Sequence, residues 1–204
     1  MFSKKKNSPS ILEKISFRLR IFCEILTGVD FTKVIPVKDL GLDPKIVVQS
    51  SPTTVKYIYR VLDYLKINKN KKILDIGCAK GYFIKFLSNK GYKTDGVEVS
   101  KKLAIIARNN FKKININTKI FNTDARKFKF YGKYDVFYLY NPFPKKIAEN
   151  VFLSIKEQIR KFNKRFYVIY THPVAHKTLI KNGFVLKKTF PYIGEYKIGV
   201  YFYN

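Results

Sequence analysis

From Lys72 to Tyr203, short apolar runs alternate with segments of helical periodicity. This alternation indicates strand–helix–strand crossover units, which build a parallel sheet with helices on both faces. The last two apolar runs are joined by a five-residue turn without a helix, and they predict an antiparallel hairpin. The predicted strands are 73–76, 93–97, 118–121, 134–140, 166–170, 184–190 and 196–203, and the predicted helices are 81–89, 101–110, 145–162 and 174–181.

Residues 1–50 are predicted to form a helical extension or cap in front of a main domain at 51–204. Apolar residues recur at helical spacing from Ile11 to Leu26 with basic residues between them, which predicts an amphipathic helix. Packing of its apolar stripe on the main domain is the favoured interpretation. Peripheral contact of this basic helix with anionic lipid stays open as the second.

A second helix is predicted at the start of the main domain. Ser51-Pro52 is typical of an N-cap followed by the first helical position, and apolar residues then recur on one side as far as Leu65. This helix leads into the alternating part of the chain.

The charge of the chain invites a nucleic-acid interpretation but does not decide it. Among 204 residues, 41 are Lys or Arg and 14 are Asp or Glu, for a net charge of +27. Counterion release rewards basic residues placed against phosphates. The excess is nevertheless spread along the chain, and only 7 of the basic residues are Arg, the residue with the bidentate fork. A generally solvated basic surface is therefore favoured over a dedicated nucleic-acid groove.

Sequence features also bear on the compartment. The longest stretch without a charged residue is the 11 residues 166–176, well below the ~20 needed to span a bilayer. Charged residues interrupt the apolar positions near the N-terminus, which argues against a secretory signal. Two cysteines are too few for a disulfide framework and suit a reducing compartment. A cytoplasmic protein without a transmembrane segment is expected; its oligomeric state stays open.

The segment Ile73-Leu74-Asp75-Ile76-Gly77-Cys78-Ala79-Lys80-Gly81-Tyr82-Phe83 carries the strongest motif. A buried strand, an acid, a glycine turn and a helix start follow in immediate succession, as in nucleotide sites. A dinucleotide fingerprint fails because Ala79 and Tyr82 stand at its second and third glycines. A phosphate-binding loop fails because it needs Gly-Lys-Ser/Thr, whereas this chain has Lys80-Gly81-Tyr82.

This segment resembles the S-adenosylmethionine (SAM) site of class I methyltransferases, whose pattern is Asp-x-Gly-x-Gly-x-Gly, with Ala79 at the central glycine. The resemblance implies a doubly wound, mostly parallel α/β sheet of order 3-2-1-4-5-7-6 and SAM as cofactor. It implies that Asp75 holds the methionine end, Glu98 the ribose hydroxyls and Asp124 the adenine amino group. The implied cofactor-binding residues are Asp75, Gly77, Cys78, Ala79, Gly81, Tyr82, Phe83, Glu98, Val99, Asp124, Ala125 and Tyr140.

The fourth predicted strand ends in Asn141-Pro142-Phe143-Pro144. This resembles the Asn-Pro-Pro-Tyr/Phe motif of amino-group methyltransferases without its second proline. The resemblance implies that the Asn141 oxygen accepts from a substrate nitrogen and that Phe143 stacks on a flat group. A simple turn that closes a buried strand is the alternative.

The wider segment from Gln49 to Asn204 also resembles a group of uncharacterised bacterial class I methyltransferases. They have an Asn-Pro-Phe motif and a Tyr-x-x-Pro signature, present here as Tyr170-Thr171-His172-Pro173. His172 follows a strand end and is a candidate base, although an ordinary loop histidine is the alternative. His176 is expected on a helix surface, and no metal site is expected.

The sequence therefore predicts an enzyme that transfers a methyl group from SAM to nitrogen or oxygen by in-line displacement. Asn141, Phe143 and His172 are the candidate catalytic residues, and a small metabolite or sugar precursor is the favoured acceptor. An RNA or DNA methyltransferase, or a non-catalytic basic nucleic-acid-binding protein, stays open as the alternative.

Overall fold

The computed structural model describes residues 11–43, 45 and 55–204. Seven strands form one sheet in the order β3-β2-β1-β4-β5-β7-β6. The first five strands are parallel, and β7 runs antiparallel to β5 and β6. The predicted fold class and strand order are confirmed. The strands are β1 Lys72–Ile76, β2 Lys93–Glu98, β3 Ile120–Asn122, β4 Val136–Tyr140, β5 Phe166–Thr171, β6 Val185–Pro191 and β7 Lys197–Tyr203.

The helices follow the predicted pattern with small shifts at their ends. The β4 strand begins at Val136 and not at Tyr134, because a 3₁₀ turn over Tyr131–Lys133 precedes it. The predicted helix start at Ser51-Pro52 lies outside the described residues. The helices are α1 Ile11–Thr27, α2 Lys56–Tyr64, α3 Tyr82–Ser88, α4 Lys101–Lys113, α5 Lys145–Ile159 and α6 His176–Lys181.

Strand β4 shows why the central strands have continuous apolar sequences. Val136 and Tyr138 pack in one core cluster with residues of α2 and α3, while Phe137 and Leu139 pack on the opposite face with residues of α5. Successive side chains of a strand point to opposite faces, so a strand covered on both sides must be apolar at every position. This burial holds the carboxyl ends of β1 and β4 rigidly side by side.

The apolar stripe of α1 faces solvent. Among the helix side chains that the structure describes, four at helical spacing are between 50% and 69% exposed. The favoured expectation that this stripe packs on the main domain is therefore wrong. The four exposed side chains are Ile15, Leu19, Phe22 and Leu26.

Among the described residues, no helix is both long and apolar enough to cross a membrane.

The polar side of α1 makes the contact with the rest of the chain. The Glu24 carboxylate is buried, and its Oε2 accepts the backbone N–H groups of Phe31 and Thr32, both at 3.2 Å. The guanidinium of Arg20 lies 4.9 Å from the ring centroid of Tyr82. A buried carboxylate with backbone donors orients the helix, because burying it without partners is costly.

Candidate active site

The turn between β1 and α3 has three residues with positive φ: Gly77 at 79°, Ala79 at 48° and Gly81 at 85°. A Cβ on Gly77 would lie 2.4 Å from Cβ of Pro142, and one on Gly81 would lie 2.4 Å from the Phe111 ring. Both positions therefore require glycine. Ala79 adopts a left-handed conformation that costs an L residue roughly 1–2 kcal/mol.

Glu98 ends β2 and connects two parts of the site. Its Oε2 accepts the Ala79 N–H at 2.9 Å, and its Oε1 accepts the Ser100 N–H at 2.8 Å. An ionised carboxylate has about four lone-pair sites, so acceptor capacity remains on both oxygens. Burial raises the pKa of Glu98, and the backbone N–H bonds partly oppose this.

Asp75 is the second buried acid of the site, in β1. Burial raises its pKa well above the ordinary value, and the nearby charge of Glu98 raises it further. Burial and mutual repulsion therefore both disfavour the ionised forms of these two acids. A cation placed beside them would favour their ionised forms.

Asp124 follows β3 and is engaged by a residue that the sequence analysis missed. The Nε of Arg126 lies 3.0 Å from both carboxylate oxygens, and the Arg126 N–H donates to Oδ1 at 2.9 Å. These hydrogen bonds lower the pKa of Asp124. Arg126 therefore shares the acceptor capacity of this carboxylate with any ligand.

Asn141 and His172 occupy matching positions after β4 and β5. Both have positive φ, 38° and 52°. The Nδ2 of Asn141 lies 3.4 Å from Nδ1 of His172, and the His172 ring lies 4.3 Å from the Tyr196 ring. Within the described residues, the buried Oδ1 of Asn141 has no hydrogen-bond partner. Strained residues that share a contact at strand ends are typical of functional sites.

A cleft of about 330 Å³ at the carboxyl ends of the parallel strands brings these groups together. The predicted Gly81 does not line it and instead packs on Phe111 where α3 begins. All other predicted site residues line the cleft: Asp75, Gly77, Cys78, Ala79, Tyr82, Phe83, Glu98, Val99, Asp124, Ala125, Tyr140, Asn141, Phe143 and His172.

A family model described as a methyltransferase domain matches residues 73–161, which run from β1 beyond the end of α5. This range holds the glycine turn, the three acids and Asn141. The match covers 89 of the 204 residues and agrees with the resemblance to class I SAM-dependent methyltransferases.

One curated relative and three solved structures are similar to this chain. Ribosomal RNA small subunit methyltransferase A of Mesomycoplasma hyopneumoniae (strain 232) is 32% identical over 113 residues, which cover 55% of this chain and 42% of that protein. The chain thus matches less than half the length of this relative.

The solved structures show the same fold at low sequence identity. Magnesium protoporphyrin IX methyltransferase from Synechocystis PCC 6803 with bound SAM has a TM-score of 0.58 at 17% identity, covering 73% of this chain and 76% of that one. An RNA methyltransferase from Salinibacter ruber in complex with S-adenosyl-L-homocysteine (SAH) has a TM-score of 0.55 at 17% identity, covering 74% and 92%. Ribosomal protein L11 methylase from Lactobacillus delbrueckii subsp. bulgaricus has a TM-score of 0.58 at 13% identity, covering 86% of this chain and 91% of that one.

The cleft fits SAM as cofactor. Its buried acids, Asp75 and Glu98, suit a ligand with a cationic centre, and Glu98 keeps acceptor sites on both oxygens for a vicinal diol. Ala79 lines the cleft with its N–H turned to Glu98, so the methyl group that replaces the family glycine leaves this loop intact.

The segment after α1 adds a wall to the cleft that the sequence analysis did not assign. Phe31, Thr32 and Lys33 line it. The buried ammonium of Lys80 lies 2.6 Å from both carboxylate oxygens of Asp30 and fixes this segment to the glycine turn. No local pattern indicates a pair separated by 50 residues.

The other residues singled out by sequence have structural positions. His176 is half-buried, with Nδ1 2.9 Å from the Tyr201 hydroxyl, so the expected position on a helix surface is corrected. Burial, with the charges of Asp75 and Glu98, raises the pKa of the Cys78 thiol. Among the described residues, no three His, Cys, Asp or Glu side chains are grouped to hold a metal.

Proposed function

We propose that the chain methylates a nitrogen, or failing that an oxygen, of a small acceptor molecule. The observation that carries this proposal is the buried Oδ1 of Asn141, which has no partner within the described residues although it lines the cleft. A buried acceptor without a partner costs stability unless a ligand satisfies it. An N–H or O–H group of the acceptor molecule would do so.

The three acids and the glycine turn would hold the cofactor. Glu98 would accept from the ribose hydroxyls and Asp75 would lie at the methionine end. Asp124, shared with Arg126, would receive the adenine amino group. SAM supplies an electrophilic methyl group on a sulfonium. The protein's part is then to position the acceptor and to exclude water.

Asn141 would align the acceptor nitrogen. Its Oδ1 accepts an N–H of the acceptor and thereby directs the nitrogen lone pair. The resemblance of Asn141-Pro142-Phe143 to the motif of amino-group methyltransferases supports nitrogen over oxygen. Phe143 is 7% exposed and lines the cleft, so it offers a ring edge more than an open stacking surface.

His172 would orient Asn141 and not act as a base. When Nδ2 of Asn141 donates to Nδ1 of a neutral imidazole, the ring proton is on Nε2. No ring lone pair then remains for a proton from the acceptor. The Tyr196 ring, 4.3 Å away, holds the imidazole in place.

An RNA base is the second candidate acceptor. Two observations support it: the 32% identity to a ribosomal RNA methyltransferase over 113 residues, and the net charge of +27. A base nitrogen would use the same Oδ1 of Asn141. The two candidates differ in the size of the acceptor and not in the chemistry of the transfer.

Methyl-tritiated SAM distinguishes these candidates. The protein is incubated with a low-mass metabolite extract and, separately, with total RNA. We expect label in the low-mass fraction, stable to mild base as N-methyl groups are, and absent with Asn141→Ala. Label in RNA alone would replace the small acceptor by the second candidate. RNA binding with a steep salt dependence and no SAH binding would contradict both and favour a non-catalytic basic protein.

A further inference from the structure

Helix α1 exposes large apolar side chains to solvent. Its 17 residues place six described large apolar side chains in solvent. Isolated exposed apolar residues are normal, but a continuous apolar surface along one helix marks an interaction site. We call this surface the α1 stripe: Ile15, Leu19, Ile21, Phe22, Ile25 and Leu26.

The α1 stripe cannot turn inward without breaking buried contacts. The Oε2 of Glu24 accepts the Thr32 hydroxyl at 2.9 Å as well as two backbone N–H groups. Arg20 lies over the Tyr82 ring on the same inner side. Rolling the helix would place a carboxylate and a guanidinium in solvent and leave buried donors unpaired. The helix is therefore held with its polar side inward and its apolar side outward.

Charge indicates what covers the stripe. The described acid of α1, Glu24, is buried, whereas Arg18 is exposed, and three lysines at positions 4–6 precede the helix in the sequence. The whole chain carries +27. Two such chains repel each other, which opposes a second copy as the partner. An anionic surface attracts the same charge.

The composition of the stripe favours a lipid surface over RNA. Five of its six residues are aliphatic and Phe22 is its single aromatic ring. Single-stranded nucleic acids are bound by stacking on aromatic rings and by basic grooves, and they offer aliphatic side chains no apolar phase. A bilayer offers both the apolar phase and the negative charge.

We propose that α1 binds the surface of an anionic lipid bilayer. The helix lies in the plane of the interface, with the α1 stripe at the acyl boundary and Arg18 among the headgroups. The inner side of α1 contacts Tyr82 and Thr32, which both line the cleft, so the bilayer lies beside the cofactor site. This inference does not depend on the identity of the methyl acceptor.

Cosedimentation of the full chain with vesicles tests the proposal. The probes are vesicles of phosphatidylcholine alone and of phosphatidylcholine with 30 mol% phosphatidylglycerol, at about 0.1 M salt. We expect binding to the anionic vesicles only. The double variant Leu19→Gln/Phe22→Gln should bind at least about tenfold more weakly, because it loses apolar burial at unchanged charge.

The matched control changes exposed apolar residues outside α1. Leu153→Gln/Ile180→Gln removes two side chains of similar exposure and should bind as the wild type does. Equal binding of all three proteins would overturn the proposal, since attraction would then come from net charge alone. The proposal would also be overturned if the wild type formed a dimer in light scattering, or bound RNA, and the double variant in α1 did not. Either result would show that another partner covers the α1 stripe.

A fluorescence measurement keeps the proposal testable if the double variant unfolds. The chain has no Trp, so Phe22→Trp introduces a single reporter in the α1 stripe. Its emission should shift to the blue when anionic vesicles are added. Phe130→Trp, at an exposed position of the main fold, should show no shift. A shift at both positions, or at neither, contradicts binding through α1.

Discussion

The side-chain amide of Asn141 contacts the imidazole of His172, with 3.4 Å between Nδ2 and Nδ1. Each residue directly follows one of two neighbouring parallel strands and has a positive φ. The pair therefore combines backbone strain at two positions with a side-chain contact and a free acceptor, the Oδ1 of Asn141. Strain of this kind persists where the surrounding structure over-determines it.

Replacing His172 separates an orienting role from a basic one. If His172 orients Asn141, His172→Ala should slow methyl transfer by about tenfold, as loss of one hydrogen bond implies. The pH profile of the rate should keep its shape. A general base would instead contribute about 10²–10⁴-fold, and its loss would flatten the acidic limb of the profile. Methyl-transfer rates between pH 5 and 9 decide between these roles.

Ala79→Gly should stabilise the protein. Ala79 has a φ of 48°, which costs an L residue roughly 1–2 kcal/mol and costs glycine little. Since glycine also gains freedom in the unfolded chain, we expect a net gain of about 1 kcal/mol in the free energy of unfolding. Urea denaturation measures it. Ala107→Gly, in the interior of α4, is the control and should be destabilising.

Asp75→Asn should change how stability depends on pH. Burial, and then Glu98, raise the pKa of Asp75 in the folded protein, so the folded state binds this proton more tightly than the unfolded state does. Its contribution is complete below the unfolded pKa of about 4 and is lost as pH rises through the raised folded pKa. As pH rises, the variant should therefore become more stable relative to the wild type.

The opposite slope is expected at Asp124. The Arg126 hydrogen bonds lower its pKa, so its stabilising contribution is present above about pH 4 and is lost as pH falls through the folded pKa. As pH rises, Asp124→Asn should therefore become less stable relative to the wild type. Thermal unfolding of the three proteins from pH 3 to 8 checks both signs. Parallel curves would show that neither carboxyl titrates as the geometry implies.

Asp30→Ala should destabilise the fold. It leaves the buried ammonium of Lys80 without its carboxylate partner. We expect a loss of about 2–3 kcal/mol, below the range for fully buried pairs because Asp30 is partly exposed. Glu157→Ala breaks an exposed pair with Arg160 and should change stability by less than about 1 kcal/mol. Equal effects in denaturant titrations would mean that Lys80 finds another partner.

The sheet could be predicted because its signal is local. Continuous apolar runs mark strands such as β4 that are covered on both faces, and Gly77 and Gly81 mark the turn after β1. The acids Asp75, Glu98 and Asp124 could be found because each stands at or beside the end of a strand. Parallel strands bring such ends to one edge of the sheet.

Other features could not be predicted because they depend on long-range contacts. Periodicity shows that α1 is amphipathic but not which side faces the protein. That orientation is set by the partners of Glu24 and Arg20. The position of Tyr196 beside His172 and the Lys80–Asp30 pair likewise have no signature in residue spacing.

Glu98 offers the most direct test of a SAM-dependent methyltransferase domain. Its carboxylate joins the glycine turn to α4 and retains acceptor sites for a ribose. Two charge-assisted hydrogen bonds to the diol imply a loss of at least about 100-fold in SAH affinity for Glu98→Ala.

Isothermal titration calorimetry with SAH measures this affinity. We expect one site per wild-type chain, strongly weakened binding to Glu98→Ala, and unchanged binding to Glu157→Ala, which changes an exposed acid. Absence of SAH binding to the wild type, or equal affinity of all three proteins, would contradict this expectation.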